Sequence, residues 1–335
     1  MNMHTFGNGR FLKCRKLAAM AASFLFSVSL PLRGMAATDP EFRITGILPT
    51  KSEGVYWQEI ITGMEQAAHD LDVDLSIIYT ESYDNYPAID LNSALETATL
   101  YQAGAIILSY SKNADEETDR LLLQAKEAGI RIIMIDNDTD SSLRDAYVGI
   151  DNEEAGRRLA QMALDELEED RSAVLLYSLQ NSDMENISRR IQGISSAFES
   201  SSAASRLLTL PVDAGTDLQR MEYLEEILEK YPQIGAIFTL SERTTITAAQ
   251  YLAQNNLTDT IRIYGFDYTD EAADLLESGE LSVVVGQQQN QMGYESVHTA
   301  ARLLEGDVLD TDKVFIDYQI YTEENIAQNQ SERKQ

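Results

Sequence analysis

The sequence predicts an α/β protein made of two doubly wound lobes, each a parallel sheet with helices on both faces. Three observations predict it. Short apolar runs alternate with segments of helix length. The alternation pauses near residue 150 and then starts again. The chain of 335 residues, 44% hydrophobic, is too long for one comfortable core.

The first 36 residues are set apart as an expected export signal. Arg10, Lys13, Arg15 and Lys16 form a basic start, "LAAMAASFLFSVSLPL" an apolar centre, and "GMAAT" a group of small residues suited to cleavage. A retained anchor is the competing reading. Against it, the apolar run falls short of the roughly 20 residues a span needs and contains Pro31.

The elements then follow in order. "FRITGILPT" is the first strand, and Ile60, Ile61, Met64, Ala67, Ala68 and Leu71 recur at helical spacing behind it. "DLSIIYT", "AGAIILSY" and "IRIIMID" are further strands, apolar throughout as strands covered on both faces must be, and "AYVGID" is a less apolar fifth. The second set is "SAVLLYS", "RLLTLPV", "GAIFTLS" and "IRIYGFD". "LSVVVGQQQNQMGYESVHTAARLLEGD" then supplies a strand and a helix, and "VFIDYQIY" one last strand. In sheets of this kind ligands sit outside the carboxyl ends of the strands, which singles out Tyr110, Asp136, Ser241 and Asp267.

Composition excludes several chemistries. Cys14 is the single cysteine and precedes the apolar run, so the mature chain is expected to lack disulfides and thiol chemistry. With His4 in the signal, His69 and His298 remain on separate helical segments, the pattern of surface or packing histidines rather than metal ligands. No GxGxxG or GxxxxGK[ST] loop follows a strand and no GxSxG elbow occurs, so no nucleotide cofactor, metal or catalytic residue is expected. The net charge of −29, from 55 acidic and 26 basic residues, repels phosphate backbones and anionic lipid surfaces.

The strand ends and helix starts carry the specific signal: "MIDND" with Asp136 and Asn137, "SRRIQG" with Arg190, "YGFDYTDEA" with Asp267, "VVVGQQQNQMG" with Gln287 and "VGIDNEEAGRRLA". Together they resemble the type I periplasmic binding proteins, the superfamily of the ribose- and galactose-binding proteins and of the LacI-type ligand domains. The resemblance runs from Phe42 to about Ile320. It implies a clamshell with lobes at 37–149 plus 288–316 and 150–287 plus 317–335, joined by three hinge crossings near Gly149 to Asp151, Gln287 to Gln289 and Asp317 to Tyr321.

The resemblance also implies site residues. Tyr56 and Trp57 stand where two aromatic residues sandwich a sugar in the ribose-binding branch, and Asp136, Arg190, Asp267 and Gln287 match hydroxyl-binding positions. Carboxylates accept paired hydroxyl bonds, a guanidinium donates a fork, and rings cover the C–H face of a sugar. Asn137 replaces an arginine of the pattern and Ser241 an asparagine, and "DAGTD" has no ring where a phenylalanine is expected. Tyr83, Tyr86, Tyr110 and Tyr268 are alternative sources of rings.

Structural readings stand beside these. Asp136 and Asp267 suit helix or turn caps, Arg190 a surface ion pair, and Ser241 a helix N-cap. Trp57 is in phase with the buried face of its helix. The expected function is capture of a small polar ligand, a sugar by resemblance, for the permease of an ABC importer. A sensor of the same shape signalling to a membrane histidine kinase or chemoreceptor is the alternative. The expected form is a monomer outside the cytoplasmic membrane. A hydrolase lacks a nucleophile or metal constellation, and a repressor would need a DNA-reading domain where the signal stands.

Overall fold

The computed structural model describes residues 42–49, 54–80, 89–110, 114–179, 181–182, 184–212 and 215–326. The expected signal, Tyr83, Tyr86, the start of "DAGTD" and the tail from 327 lie outside the described residues.

The first half of the chain builds β1 (Arg43–Leu48), α1 (Gly54–Leu71), β2 (Asp74–Tyr79), α2 (Leu91–Leu100), β3 (Ala105–Leu108), α3 (Glu116–Glu127), β4 (Arg131–Ile135) and β5 (Ala146–Gly149). The second half builds α4 (Asn152–Glu166), β6 (Ser172–Tyr177), α5 (Glu185–Glu199), β7 (Leu207–Pro211), α6 (Asp217–Lys230), β8 (Ile234–Thr239), α7 (Glu242–Gln254), β9 (Arg262–Phe266), α8 (Asp270–Glu277), β10 (Val283–Gln287) and α9 (Gln289–Leu304). The chain ends in β11 (Lys313–Phe315) and β12 (Tyr318–Thr322).

Among the described residues these strands form two six-stranded sheets, in the orders β11-β5-β4-β3-β1-β2 and β12-β10-β9-β8-β6-β7. Strands β3, β5 and β10 are buried along their whole length, β5 included although its sequence is the less apolar of the set. Helices on both faces cover them, which is why they read as unbroken apolar runs rather than alternating ones. Helix starts are fixed locally: Asp90, Asp151 and Thr269 cap α2, α4 and α8, and Asp115 and Thr216 form capping boxes at α3 and α6.

The last segment corrects one expectation. "VFIDYQIY" is two strands, not one: β11 lies parallel to β5 in the first sheet, and β12 lies antiparallel to β10 in the second. The Ile316 N–H donates to Gly149 O at 2.8 Å, and the chain then crosses at once to the other sheet. It leaves the first sheet at the carboxyl ends of its strands and enters the second at the same level, Tyr318 opposite Gln287. A parallel entry would require a long return to the other end of the sheet, so the direct crossing makes β12 antiparallel.

The chain passes between sheets from β5 into α4, from β10 into α9, and from β11 into β12. Helix α9 packs on α1, and α4 packs on α5. Both contacts bring backbones together through glycine. A Cβ on Gly63 would stand 1.9 Å from Asn290 O, and one on Gly193 would stand 2.0 Å from Glu153 O. Gly293 and Gly156 make the reciprocal approaches from α9 and α4.

Candidate functional site

Asp136 and Asp267 immediately follow β4 and β9, equivalent strands of the two sheets. Each has a left-handed backbone, with φ of 65° and 71°. Each N–H donates to the next strand over, Asp136 to Val148 O at 3.0 Å and Asp267 to Val285 O at 2.9 Å. Non-glycine residues hold such a conformation only where the surroundings impose it. Here it turns each carboxylate out of its sheet at the strand end.

Side chains from both sheets converge on the two acids. Tyr56, in the first turn of α1, donates its hydroxyl to Asp136 Oδ1 at 2.6 Å and lies 3.3 Å from Gln287 Oε1. Gln287 ends β10 and donates Nε2 to Asp267 Oδ1 at 2.9 Å. The other oxygen of Asp267 accepts from the Glu242 N–H at 3.2 Å, at the start of α7. From the first turn of α5, Asn186 donates Nδ2 to Asp136 Oδ2 at 3.5 Å and its N–H to Asn137 Oδ1 at 3.1 Å. Acids from both sheets, and the starts of α1, α5 and α7, therefore meet in one place.

Arg190 is 2% exposed. Its Nε donates to Asn152 Oδ1 and its Nη1 to Leu240 O, both at 2.8 Å, and its guanidinium lies 4.0 Å from the centre of the Phe266 ring. Among the described residues, no carboxylate lies within ion-pairing reach of it and Nη2 has no hydrogen-bond partner.

Burial pushes Asp136 from the ordinary 3.8 up to about 6, against the lowering effects of the Tyr56 hydrogen bond and Arg190; Asp267 and Glu185 push it further up. Burial, and then the Asp136 charge, also raise Tyr56 well above an ordinary tyrosine, so its hydroxyl stays protonated and remains a donor. Glu242 is raised by burial and by Asp267.

The other expected site residues are placed less centrally. Trp57 is half-buried, with its ring at 77° to that of Tyr56 and centroids 5.4 Å apart. Tyr110 turns its hydroxyl to Asp119 on α3 at 2.6 Å, and burial, then that hydrogen bond, raise it to about 12. Asn137 spends its amide on the Tyr110 carbonyl and the Asn186 N–H. Ser241 occupies the N-cap position of α7 but makes no capping bond; its hydroxyl pairs with Thr244 at 3.1 Å.

Four residues at this place carry no signal of their own in the sequence reading: Asn152, Asn186, Glu242 and Phe266. Asn186 stands seven residues before Gly193, as Tyr56 stands seven before Gly63, so aligning the two halves on their helix-crossing glycines would have found it. The assembled groups accept and donate hydrogen bonds in several directions beside aromatic faces, which suits a small polyhydroxylated molecule. Among the described residues no group of His, Cys, Asp or Glu could hold a metal ion, and no helix is long and apolar enough to cross a membrane.

Comparison with known proteins identifies the family of the fold. The Periplasmic binding protein domain family matches residues 44–307. The D-allose-binding periplasmic protein of Escherichia coli is 22% identical over 79% of this chain and 85% of its own length. The ribose import binding protein RbsB of Escherichia coli is 19% identical over 88% of this chain and 95% of its own. The crystal structure of GanP, a glucose-galactose binding protein from Geobacillus stearothermophilus, superposes with a TM-score of 0.71 at 23% identity, covering 84% of this chain and 98% of that one. With a family match over residues 44–307 and a fold shared over 84% of its length, the chain belongs to the type I periplasmic binding proteins.

Proposed function

We propose that this chain is an exported solute-binding protein that captures a sugar or related polyol between its two sheets and presents it to the permease of an ABC importer, without catalysing a reaction. The observation that carries the reading is the cluster of Asp136, Tyr56, Gln287 and Asp267, in which Tyr56 donates to Asp136 and Gln287 donates to Asp267, and which draws polar groups from both sheets and one crossing into a single site. The names of the relatives, which refer to allose, ribose, glucose and galactose, support the sugar class.

In this reading the lobes are 37–149 plus 288–316 and 150–287 plus 317–335, and the three crossings act as hinges. Ligand hydroxyls compete for Asp136 and Asp267, Arg190 donates to the ligand, and Trp57 covers an apolar face of it. Tyr56 acts through its hydroxyl, with Gln287 beside it, while Tyr110, Asn137 and Ser241 shape the rim. A ligand touching both lobes favours the closed form by its differential contacts there, and the closed form is what a permease reads. The protein acts as a monomer on the outer side of the cytoplasmic membrane.

A thermal-shift screen of the mature chain against sugars and polyols tests the proposal, because a ligand that binds only the folded state must raise Tm. A stabilising sugar that also changes the fluorescence of Trp57, the only tryptophan, is the expected result. A library with no stabilising member would overturn it.

A further inference from the structure

We infer that the ligand of this cleft is a polyol carrying one ammonium group, which sits on Asp136. The inference rests on the proposed binding site and narrows its substrate class.

It follows from a charge imbalance among groups of which Asp136 and Arg190 are buried and Asp267 and Glu242 half-buried. Three carboxyl groups, Asp136, Asp267 and Glu242, gather at the site, and one cation, Arg190, stands with them. Among the described residues none of these four is in an ion pair. The neighbouring cations are committed elsewhere. Arg144 and Lys313 hold Asp138, Arg189 holds Glu185 and Glu153, and Arg243 holds Asp217. Buried carboxylates without a cation are costly unless a partner supplies the charge.

Asp136 is the more deeply buried of the two aspartates and the one with the weaker second contact. Both oxygens of Asp267 are taken, by Gln287 at 2.9 Å and by the Glu242 N–H at 3.2 Å. Asp136 has one short bond, from Tyr56 at 2.6 Å, while its Oδ2 meets only the Asn186 amide at 3.5 Å. A carboxylate can accept about four bonds. An ammonium group donates three and supplies the missing charge, so it fits Oδ2 better than a neutral hydroxyl does. Arg190, 2% exposed with Nη2 unpartnered, is a second buried group whose hydrogen bonding a ligand would complete; as a donor-only group it takes a hydroxyl or ring oxygen, not the ammonium. The net charge of −29 adds a long-range field that draws cations toward the protein.

Calorimetric titration of the full mature chain with glucosamine, galactosamine and mannosamine tests this. Each is set beside its neutral parent sugar and its N-acetyl derivative, which keeps the nitrogen but removes the charge. At least one amino sugar is expected to bind tenfold or more tightly than both neutral counterparts, and Asp136→Asn is expected to reduce that ratio to within about threefold. Preference for the neutral sugars, or equal affinity within each set, would overturn the inference while leaving sugar capture intact. Absence of binding by every sugar would overturn both readings. Because the readout is a ratio within one protein, a general loss of affinity in Asp136→Asn does not imitate the expected result.

Discussion

The two halves of the molecule share a backbone plan and differ in the chemistry placed on it. In each, an aspartate follows the equivalent strand in a left-handed conformation and donates its N–H across to the next strand. In each, two helices cross on a pair of glycines. Seven residues before its crossing glycine, the first half carries Tyr56 and the second carries Asn186, and both side chains reach the same carboxylate, Asp136. The first half supplies the ring pair Tyr56 and Trp57, and the second supplies the buried Arg190 over Phe266. A repeated frame fixes where side chains can meet, and the differences at equivalent positions make the site two-faced, aromatic on one side and cationic on the other.

The largest effect should come from breaking the frame. Gly63→Val and Gly193→Val each force a side chain into backbone carbonyls, at a cost of about 3 kcal/mol, measured by urea denaturation. Equal losses would confirm that the two crossings are equivalent, and a loss confined to one half would break the comparison.

Next come the paired contacts to Asp136. Tyr56→Phe removes the 2.6 Å bond and should weaken ligand binding about tenfold. Asn186→Ala removes the 3.5 Å contact and should weaken it about threefold. A reversed order in calorimetry would mean that the second-half residue is the principal partner.

The remaining effect is a pH slope. Burial raises Asp136 from 3.8 to about 6, so between those values the folded chain holds a proton that the unfolded chain releases. The stability contributed by this proton is complete below about pH 4, is lost as the pH rises to about 6, and is flat above that. Tyr56, Tyr147, Arg190, Asp267 and Glu185 surround the group, and their own effects largely cancel when wild type is compared with Asp136→Asn. Urea midpoints from pH 4 to 7 should show the extra slope in the wild type alone; parallel curves would place the proton elsewhere.

The parallel strands were legible because burial on both faces leaves unbroken apolar runs bounded by turn residues. The split of "VFIDYQIY" was not, since β11 is a three-residue strand and the crossing through Ile316 and Asp317 interrupts no hydrophobic pattern strongly enough to mark it. At the site, Asp136, Arg190, Asp267 and Gln287 could be located because they stand at strand ends or beside a helix glycine. Asn152 and Phe266 could not, because a buried asparagine or a ring beneath a guanidinium is defined by what the fold brings near it, and Asn186 emerges only when the two halves are aligned on their crossing glycines. Tyr56 was legible as a ring, but its hydrogen bond to Asp136 depends on a contact across 80 residues.

The central claim is that both halves must contribute polar groups to hold one ligand. Calorimetry of the best sugar from the thermal screen against wild type, Asp267→Ala and Arg190→Ala tests it most directly. Each variant should bind about tenfold to a hundredfold more weakly, the loss expected when one charge-assisted hydrogen bond goes and its ligand partner is left unpaired. Unchanged affinity in both variants would contradict the account.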